Sequence, residues 1–252
     1  MDRPSEPAAT AGSESCLETK LAHYADLNPE DRALLRALEE KPEDWSRKSV
    51  VVQAGDRLDA LYVVRKGWLY SSQLVGDGRR QVFQLFYPGD IVGAREIGLK
   101  HALSTTVCAT DCVLCPFEKQ ALCELFNSSS RLSALLYAVG MVDEMVIIER
   151  MKAISRMKAR ERVAHVFMEI LTRLRITSSS REAVFELPLN QETLGDLVGL
   201  TQVHTNRTLR QLERDGLITR KGSLIELNEK GLREASSFND AYFAIDTSWI
   251  PA

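Results

Sequence analysis

The first half of the chain, from about residue 47 to residue 117, consists of short apolar stretches separated by turns. The turns carry strong turn formers, as in Gly76-Asp77-Gly78 and Pro88-Gly89-Asp90. The predicted strands are residues 50–52, 61–64, 68–75, 81–86, a strand from 91, and two within 105–117. Short strands with a turn signal about every 8–12 residues predict an antiparallel sandwich or roll.

The pattern changes near residue 185, where a short strand is followed by two short helices. Asn190 can cap a helix over 191–198, and Gly199 suits the left-handed turn that ends it. Thr201 can cap a second helix that runs to about residue 215. Two short helices joined by a glycine-containing turn predict a helix-turn-helix, and the hairpin over 217–227 predicts a wing.

The second of these helices separates into an apolar and a polar face. The side chains predicted to point into the domain are those of Thr205, Thr208, Leu209 and Leu212. Arginine can bond guanine, glutamine and asparagine can bond adenine, and basic residues can hold phosphates. The predicted DNA contacts are Gln202, Val203, His204, Asn206, Arg207, Arg210 and Lys221. The alternative is a solvated polar face on a protein-binding winged helix.

The charge distribution agrees with a nucleic-acid partner for the second half. Residues 150–233 contain 16 Lys and Arg against 10 Asp and Glu, and the rest contains 16 against 25. A basic part on an acidic body favours a polyanionic partner. The N-terminus has no apolar signal segment, and no apolar run approaches about 18 residues. We therefore expect a cytoplasmic protein without a membrane span.

A long helix is predicted between the halves, over residues 129–157. Its apolar residues recur at alternating spacings of three and four, which is typical of a helix-pair seam. The candidate dimer-interface residues are Leu132, Leu135, Val139, Val142 and Val146. The alternative is a helix packed on its own domain. The predicted divisions are an arm (1–19), a sensor roll (20–128), this helix, a DNA-binding domain (158–238) and a tail (239–252).

Several motifs resemble the Crp/Fnr superfamily of bacterial transcription regulators over roughly residues 20–235. The most specific stretch is residues 189–201 followed by 203–209, and residues 159–164 also match. The roll glycines match as well, at Gly55-Asp56, Gly67, Gly78 and Pro88-Gly89-Asp90. The chain is closer to the Fnr branch than to the cyclic-AMP receptor branch.

The resemblance implies an α+β chain: a cyclic-nucleotide-binding-like β-roll, a long dimerisation helix and a C-terminal winged helix-turn-helix. It implies a homodimer on a pseudo-palindromic double-stranded DNA site, with RNA polymerase as a partner. Gln202, Val203 and Arg207 fall where the family places base contacts, and His204 falls at a phosphate position. Asn206 falls where the Fnr branch uses a serine. Val203 stands where many relatives carry glutamate, so neither known half-site carries over.

A cluster of cysteines is the candidate signal site. Cys108, Cys112, Cys115 and Cys123 fall within sixteen residues, while Cys16 lies apart. Four thiolates suit a [4Fe–4S] cluster, which predicts a sensor of oxygen, redox state or iron. The N-terminal cysteine group of the Fnr branch is missing, so the family's ligand set cannot be carried over.

Other signals stay open. The same cysteines could hold zinc, form a dithiol/disulfide switch, or be apolar core in a constitutive or ligand-controlled regulator. Cys112 and Cys115 converge only if a turn or bulge separates them, since residues three apart on a strand face oppositely. A cyclic nucleotide is disfavoured because the family's phosphate-binding arginine is missing near Leu103-Ser104. No catalytic motif is found, so we expect no enzyme.

Overall fold

The computed structural model of the protein describes residues 15–178 and 180–251. Within them, the first half is a sandwich of two four-stranded antiparallel sheets, which confirms the predicted roll. Its strands are β1 (Glu43–Trp45), β2 (Val50–Val52), β3 (Ala60–Lys66), β4 (Leu69–Leu74), β5 (Arg80–Phe86), β6 (Ile91–Val92), β7 (Thr105–Cys108) and β8 (Cys112–Glu118). One sheet has the order β1-β8-β3-β6, and the other has the order β2-β7-β4-β5.

The loop over residues 109–111 carries the chain from one sheet to the other. Strands β7 and β8 therefore lie in different sheets, and β8 pairs with β3 in a register that sets Val63 opposite Cys115. The turn between β3 and β4 approaches this loop closely. A Cβ atom added to Gly67, which has φ +91°, would lie 2.5 Å from the carbonyl oxygen of Asp111. Glycine is required there both by the left-handed backbone and by the lack of space.

Two short helices, α1 (Cys16–Ala22) and α2 (Pro29–Ala37), precede the sandwich. The prediction of a mobile arm over residues 1–19 is wrong for residues 16–19, because they are helical and Leu17 is buried. The carboxylate of Glu39 accepts a hydrogen bond of 3.0 Å from the Leu17 N–H, which fixes the start of α1. Residues 1–14 lie outside the described residues.

Three helices follow the sandwich: α3 (Lys119–Ser128), α4 (Ser130–Arg156) and α5 (Ala159–Thr177). Buried charges attach α5 to the sandwich. The Asp90 carboxylate accepts from Lys20 Nζ at 2.5 Å and from Arg173 Nη2 at 3.1 Å, and Arg173 also pairs with Asp143 at 3.1 Å. Burial by itself would raise the pKa of Asp90, but the charges of Lys20 and Arg173 hold that pKa below its ordinary value.

The second half is a small winged-helix unit. It contains β9 (Val184–Glu186), α6 (Gln191–Val198), α7 (Gln202–Arg214), β10 (Ile218–Lys221), β11 (Leu224–Leu227) and α8 (Glu229–Ser236). The three strands form one antiparallel sheet in the order β10-β11-β9. Both predicted helices of the helix-turn-helix are present, and α8 is an addition that the sequence reasoning missed.

The chain beyond α8 returns toward the sandwich. Phe238 packs edge-on against the buried His165 ring at 5.1 Å between centroids, and a 3₁₀ turn follows at Ala241–Phe243. Ile245 packs against both of the large hydrophobic clusters, and Ile250 packs against the one that includes α1 and α2. The tail thus spans the two halves. Among the described residues, no helix is long and apolar enough to cross a membrane.

Candidate functional site

The helix-turn-helix is held by the caps that the sequence predicted. Asn190 Oδ1 accepts from the Thr193 N–H at 2.7 Å, and Thr201 Oγ1 accepts from the His204 N–H at 3.3 Å. Gly199 ends α6 with a φ of +68°. The following chain passes so near α6 that a Cβ on Gly195 would lie 2.6 Å from the carbonyl oxygen of Leu200. The turn therefore fixes the direction in which α7 leaves α6.

Helix α7 presents one polar face to solvent. Thr205, Thr208, Leu209 and Leu212 are buried, as predicted. Val203 is 74% exposed, so its side chain is free to contact a partner surface. An open groove of about 660 Å³ runs along this face. Its lining residues are Val203, Asn206, Arg207, Arg210, Glu213 and Arg214.

The remaining predicted contacts lie beside this groove. Gln202, His204, Arg207 and Arg210 are exposed on α7, and Lys221 is exposed at the end of β10, next to the wing turn. Within the described part of the chain, neither Arg207 nor Arg210 forms an ion pair. Their guanidinium groups are therefore available to bond guanine edges or phosphates.

An ion pair fixes the wing to α7. Arg220 on β10 donates to Glu213 on α7 at 2.7 Å, and the hydrogen bond from Arg220 lowers the pKa of Glu213 below its ordinary value. Arg160 at the start of α5 pairs with Asp215 at 2.8 Å. The two acidic side chains at the edge of the polar face, Glu213 and Asp215, are thus each paired with an arginine.

The four clustered cysteines do not come together. Cys108 and Cys112 lie together in the core between the two sheets. Cys115 lies in a different hydrophobic cluster, and Cys123 is exposed on α3. The four-cysteine ligand set predicted for an iron–sulfur cluster is therefore not assembled in this structure.

The regular geometry of β8 explains this separation. Cys112 and Leu114 face the core between the sheets, while Cys115 and Phe117 face the helices, because successive side chains of a strand alternate. The irregularity in the β3–β8 pairing lies between Val64 and Lys66, on the other strand. Among residues 15–178 and 180–251, no group of three or more His, Cys, Asp or Glu side chains is placed to hold a metal ion. The donor set consequently fits neither a four-cysteine cluster nor a four-cysteine zinc site.

Cys16 lies beside Cys115. The Cys16 thiol donates to the carbonyl oxygen of Arg65 at 3.2 Å. Cys16 and Arg65 both act electrostatically on the Cys115 thiol. Burial raises the pKa of both Cys16 and Cys115 to about 11. These two thiols are therefore protonated and unreactive at neutral pH.

The predicted dimer seam on α4 is occupied by contacts within its own chain. All five of its residues are buried against their own chain, with Leu132, Leu135 and Val139 in one cluster and Val142 and Val146 in another. The alternative, a helix packed on its own domain, describes this face. A second apolar stripe on α4 is exposed instead and was missed. Its members are Tyr137, Met141, Met145, Ile148 and Met151.

Known proteins share both halves of this arrangement. A cyclic nucleotide-binding domain family matches residues 42–129, and a Crp-like helix-turn-helix domain family matches residues 161–235. The transcriptional activator protein FnrL of Cereibacter sphaeroides is 29% identical over 175 residues, which cover 68% of this chain and 70% of FnrL. The nitrogen fixation regulation protein FixK of Azorhizobium caulinodans is 28% identical over 178 residues, which cover 71% of each chain.

The chain belongs to the Crp/Fnr family. It is a DNA-binding transcriptional regulator of the Fnr/FixK type, with this family's roll, long helix and helix-turn-helix. The structure of FixK2 from Bradyrhizobium japonicum has the same fold, with a TM-score of 0.69 at 22% identity. That alignment covers 77% of this chain and 96% of FixK2.

In this Crp/Fnr chain the pocket inside the roll is nearly closed. It is lined by residues that include Arg95, Glu96 and Ser104 and encloses about 30 Å³, whereas ligand sites usually enclose roughly 300–1,000 Å³. The Glu96 carboxylate accepts from Ser104 Oγ at 2.7 Å and from the Leu103 N–H at 3.1 Å. The Glu96 side chain thus ties Leu103 and Ser104 to the short 3₁₀ turn at Ala94–Glu96.

Proposed function

We propose that the protein is a homodimer that binds a pseudo-palindromic double-stranded DNA site, with one α7 helix in the major groove of each half-site. The exposed polar face of α7, on a capped helix-turn-helix, is the observation that carries this proposal. Two-fold related helix-turn-helix units place their recognition helices in successive major grooves. The positive charge of residues 150–233 adds salt-dependent attraction to phosphates.

We assign the individual contacts by chemistry and position. Arg207 is proposed to bond guanine O6 and N7, and Gln202 and Asn206 to bond adenine. Val203 is proposed to contact a thymine methyl group, because its exposed branched side chain offers only apolar surface. The phosphate contacts are assigned to His204, Arg210 and Lys221.

We assign the dimer contact to the exposed stripe of α4. Tyr137 is 63% exposed and Met151 is 64% exposed, although both are large and apolar. The stripe borders a mostly apolar groove of about 850 Å³ between the sandwich and α4. A second copy of α4 would remove this surface from water, which favours association. FnrL is named a transcriptional activator, and this favours RNA polymerase as a further partner.

We propose that the signal is redox in nature. The described cysteines are all free thiols, and a relative from Haemophilus influenzae that is 25% identical is named an anaerobic regulatory protein. The [4Fe–4S] hypothesis gets no support from the placement of the cysteines, so no step is assigned to a cluster. Iron and sulfide assays on protein purified without oxygen test it directly. Stoichiometric iron and sulfide would support the [4Fe–4S] hypothesis, and the four cysteines would then have to rearrange to bind the cluster.

Selection from random DNA with the full-length reduced protein tests the DNA-binding proposal. We expect an enriched motif with two-fold symmetry and a complex of two chains per DNA by sedimentation. The affinity should fall steeply as salt rises, since several phosphates are neutralised. An asymmetric motif bound by a single chain, or no enrichment, would contradict the proposal.

A further inference from the structure

Two buried thiols lie in the same core cluster at one end of the sandwich. Cys108 ends β7 in one sheet, and Cys112 begins β8 in the other. Both side chains point into the core between the sheets and are 1% and 3% exposed. Both belong to one small hydrophobic cluster and only three residues separate them, so a bond between the two sulfurs would link the two sheets across the loop over residues 109–111.

Polar groups surround the sulfur of Cys112. The carbonyl oxygens of Trp68 and Thr110 each lie 3.4 Å from Sγ, and Thr110 Oγ1 lies 3.7 Å away. A Cβ on Gly67 would lie 2.7 Å from the same sulfur, so the bare backbone of this turn covers it. Gly67 is itself partly exposed. The sulfur therefore lies directly beneath a backbone turn that is itself partly exposed.

The two thiols of this pair differ in acidity. The hydrogen bond from Cys108 lowers the pKa of Cys112 to about 7, and the same contact raises the pKa of Cys108. By contrast, burial raises the pKa of Cys16 to about 11. Cys112 is therefore the thiol of this pair that loses its proton more readily, and the thiolate is the nucleophilic form of cysteine.

We propose that Cys108 and Cys112 are a redox modification site that a hydroperoxide converts reversibly to an intramolecular disulfide. The Cys112 thiolate attacks the terminal oxygen of the hydroperoxide, the O–O bond breaks, and the leaving alkoxide or hydroxide takes up a proton. Cys112 is then a sulfenic acid. The Cys108 sulfur attacks the Cys112 sulfur, the S–O bond breaks, and the hydroxide leaves as water with the proton of Cys108. Two thiols and one hydroperoxide thus give one disulfide, one alcohol or water, and one further water.

Trp68 connects the loop between the two cysteines to the DNA-binding half. The Trp68 N–H donates to Thr110 Oγ1 at 2.9 Å, and its carbonyl oxygen accepts from the Ala109 N–H at 2.8 Å. The Trp68 ring stacks on Phe185 of β9 with 6.5 Å between centroids. The same loop is held by a second connection, in which Arg47 bonds Asp111 and the carbonyl oxygen of Pro188 at 2.8 Å and 3.3 Å.

Oxidation therefore acts at the boundary between the two halves. A disulfide requires an S–S distance of about 2.05 Å, so the loop must move, and Cys112 loses its contact with the Trp68 carbonyl. The shift reaches Phe185 and Pro188, which lie just before the helix-turn-helix. We expect the disulfide to weaken DNA binding by about tenfold, within the usual range of allosteric couplings. This consequence rests on the proposed DNA-binding function, whereas formation of the disulfide does not.

The modification is tested on the full-length reduced protein. It is treated with hydrogen peroxide, denatured, alkylated and digested for peptide mass spectrometry. We expect a peptide in which Cys108 and Cys112 are joined and escape alkylation, and we expect dithiothreitol to reverse the change. The matched control Cys123→Ser keeps the pair and should form the same disulfide. Free Cys108 and Cys112 after treatment, or a Cys16–Cys115 disulfide in their place, would overturn the proposal.

The variant Cys108→Ala separates the two steps. Without its partner, Cys112 should stop at the sulfenic acid, which dimedone traps as an adduct. If this variant does not fold, the wild-type peptide map still decides the matter. DNA binding is measured on the same wild-type samples. Reduced protein that does not bind DNA contradicts the proposed function, whereas equal binding by the reduced and disulfide forms contradicts only the regulatory role of the pair.

Discussion

Arg80 on β5 and Asp196 on α6 form an ion pair of 2.7 Å that joins the sandwich directly to the first helix of the helix-turn-helix. The contact is reinforced on both sides. Arg80 also donates to Thr193 Oγ1 at 3.3 Å, and the neighbouring Gln81 side chain donates to the Asp196 carbonyl oxygen at 2.6 Å. Helix α6 is thus attached to the sandwich by a polar contact that is only partly buried.

Replacing Arg80 by alanine should loosen this contact with little loss of stability. We expect faster backbone hydrogen exchange in α6 and a stability cost of about 1 kcal/mol or less, because the pair is partly exposed. Arg79→Ala is the matched control, since among the described residues Arg79 pairs with Asp77 of its own turn, at 2.6 Å. Unchanged exchange in α6 would show that the apolar boundary around Phe185 holds the two halves without the ion pair.

Arg207→Ala should remove a base contact without harming the fold, because the side chain is exposed on α7. We expect a loss of about 1–3 kcal/mol in discrimination at one base pair of each half-site. Titrations across single-base variants of the selected site measure this loss. Arg57→Ala, on the exposed surface of the sandwich, is the control. An equal loss on every sequence would assign Arg207 to phosphate binding instead.

Ile148→Glu should disrupt the dimer, since it places a charge in the exposed apolar stripe of α4. Ile148 is 39% exposed, so the single chain can tolerate the change, whereas a helix pair would have to bury the carboxylate. Sedimentation should show a monomer with reduced affinity for the two-fold site. Leu103→Glu is the control, at a position that is 60% exposed on the sandwich. A stable Ile148→Glu dimer would place the interface elsewhere.

Asp90→Asn should destabilise the protein by about 3 kcal/mol, because it leaves Lys20 and Arg173 buried near a neutral amide. Urea unfolding monitored by fluorescence measures the difference. Asp59→Asn removes a carboxylate that is 69% exposed and pairs with Arg57, and should change stability by less than about 0.5 kcal/mol. Similar losses for the two variants would contradict a structural role for the buried network.

Stability should also fall in acid, for a reason that follows from the same carboxylate. The folded pKa of Asp90 lies below the ordinary aspartate value of about 3.9, so the unfolded chain takes up the proton first as pH falls. The contribution of Asp90 is therefore complete above about pH 5 and is lost as pH falls toward the folded pKa. Unfolding free energies from pH 6 down to pH 3 should decline in the wild type and decline less in Asp90→Asn.

Local signals were enough to predict most of the helix-turn-helix. The caps at Asn190 and Thr201, the turn at Gly199 and the buried face of α7 depend on residues a few positions apart, and the structure confirms them. Strand β1 was missed because its residues Glu43–Trp45 show no apolar alternation, and they pair with β8, far along the chain.

Predictions that needed tertiary contacts were less successful. Helix α4 carries two apolar stripes, and only the packing of the sandwich and α5 decides which one is buried in the chain, so the sequence pattern could not tell the inner stripe from the exposed one. The cysteine spacing suggested convergence, but β8 has no bulge of its own, and strand alternation sends Cys112 and Cys115 to opposite sides. Helix α1 was missed because the two leucines that fix it, Leu17 and Leu21, follow a polar segment.

The path of the last residues limits how the DNA-binding half can move. Helix α5 joins that half to the body, and the tail adds further contacts: Phe238 packs on His165 of α5, and Ile245 and Ile250 pack on the cluster that includes α1 and α2. A movement of the DNA-binding half about α5 would therefore have to break the apolar contacts of the tail. The energy needed to reorient α7 is therefore set in part by the C-terminal tail, which belongs to neither the β-sandwich nor the helix-turn-helix.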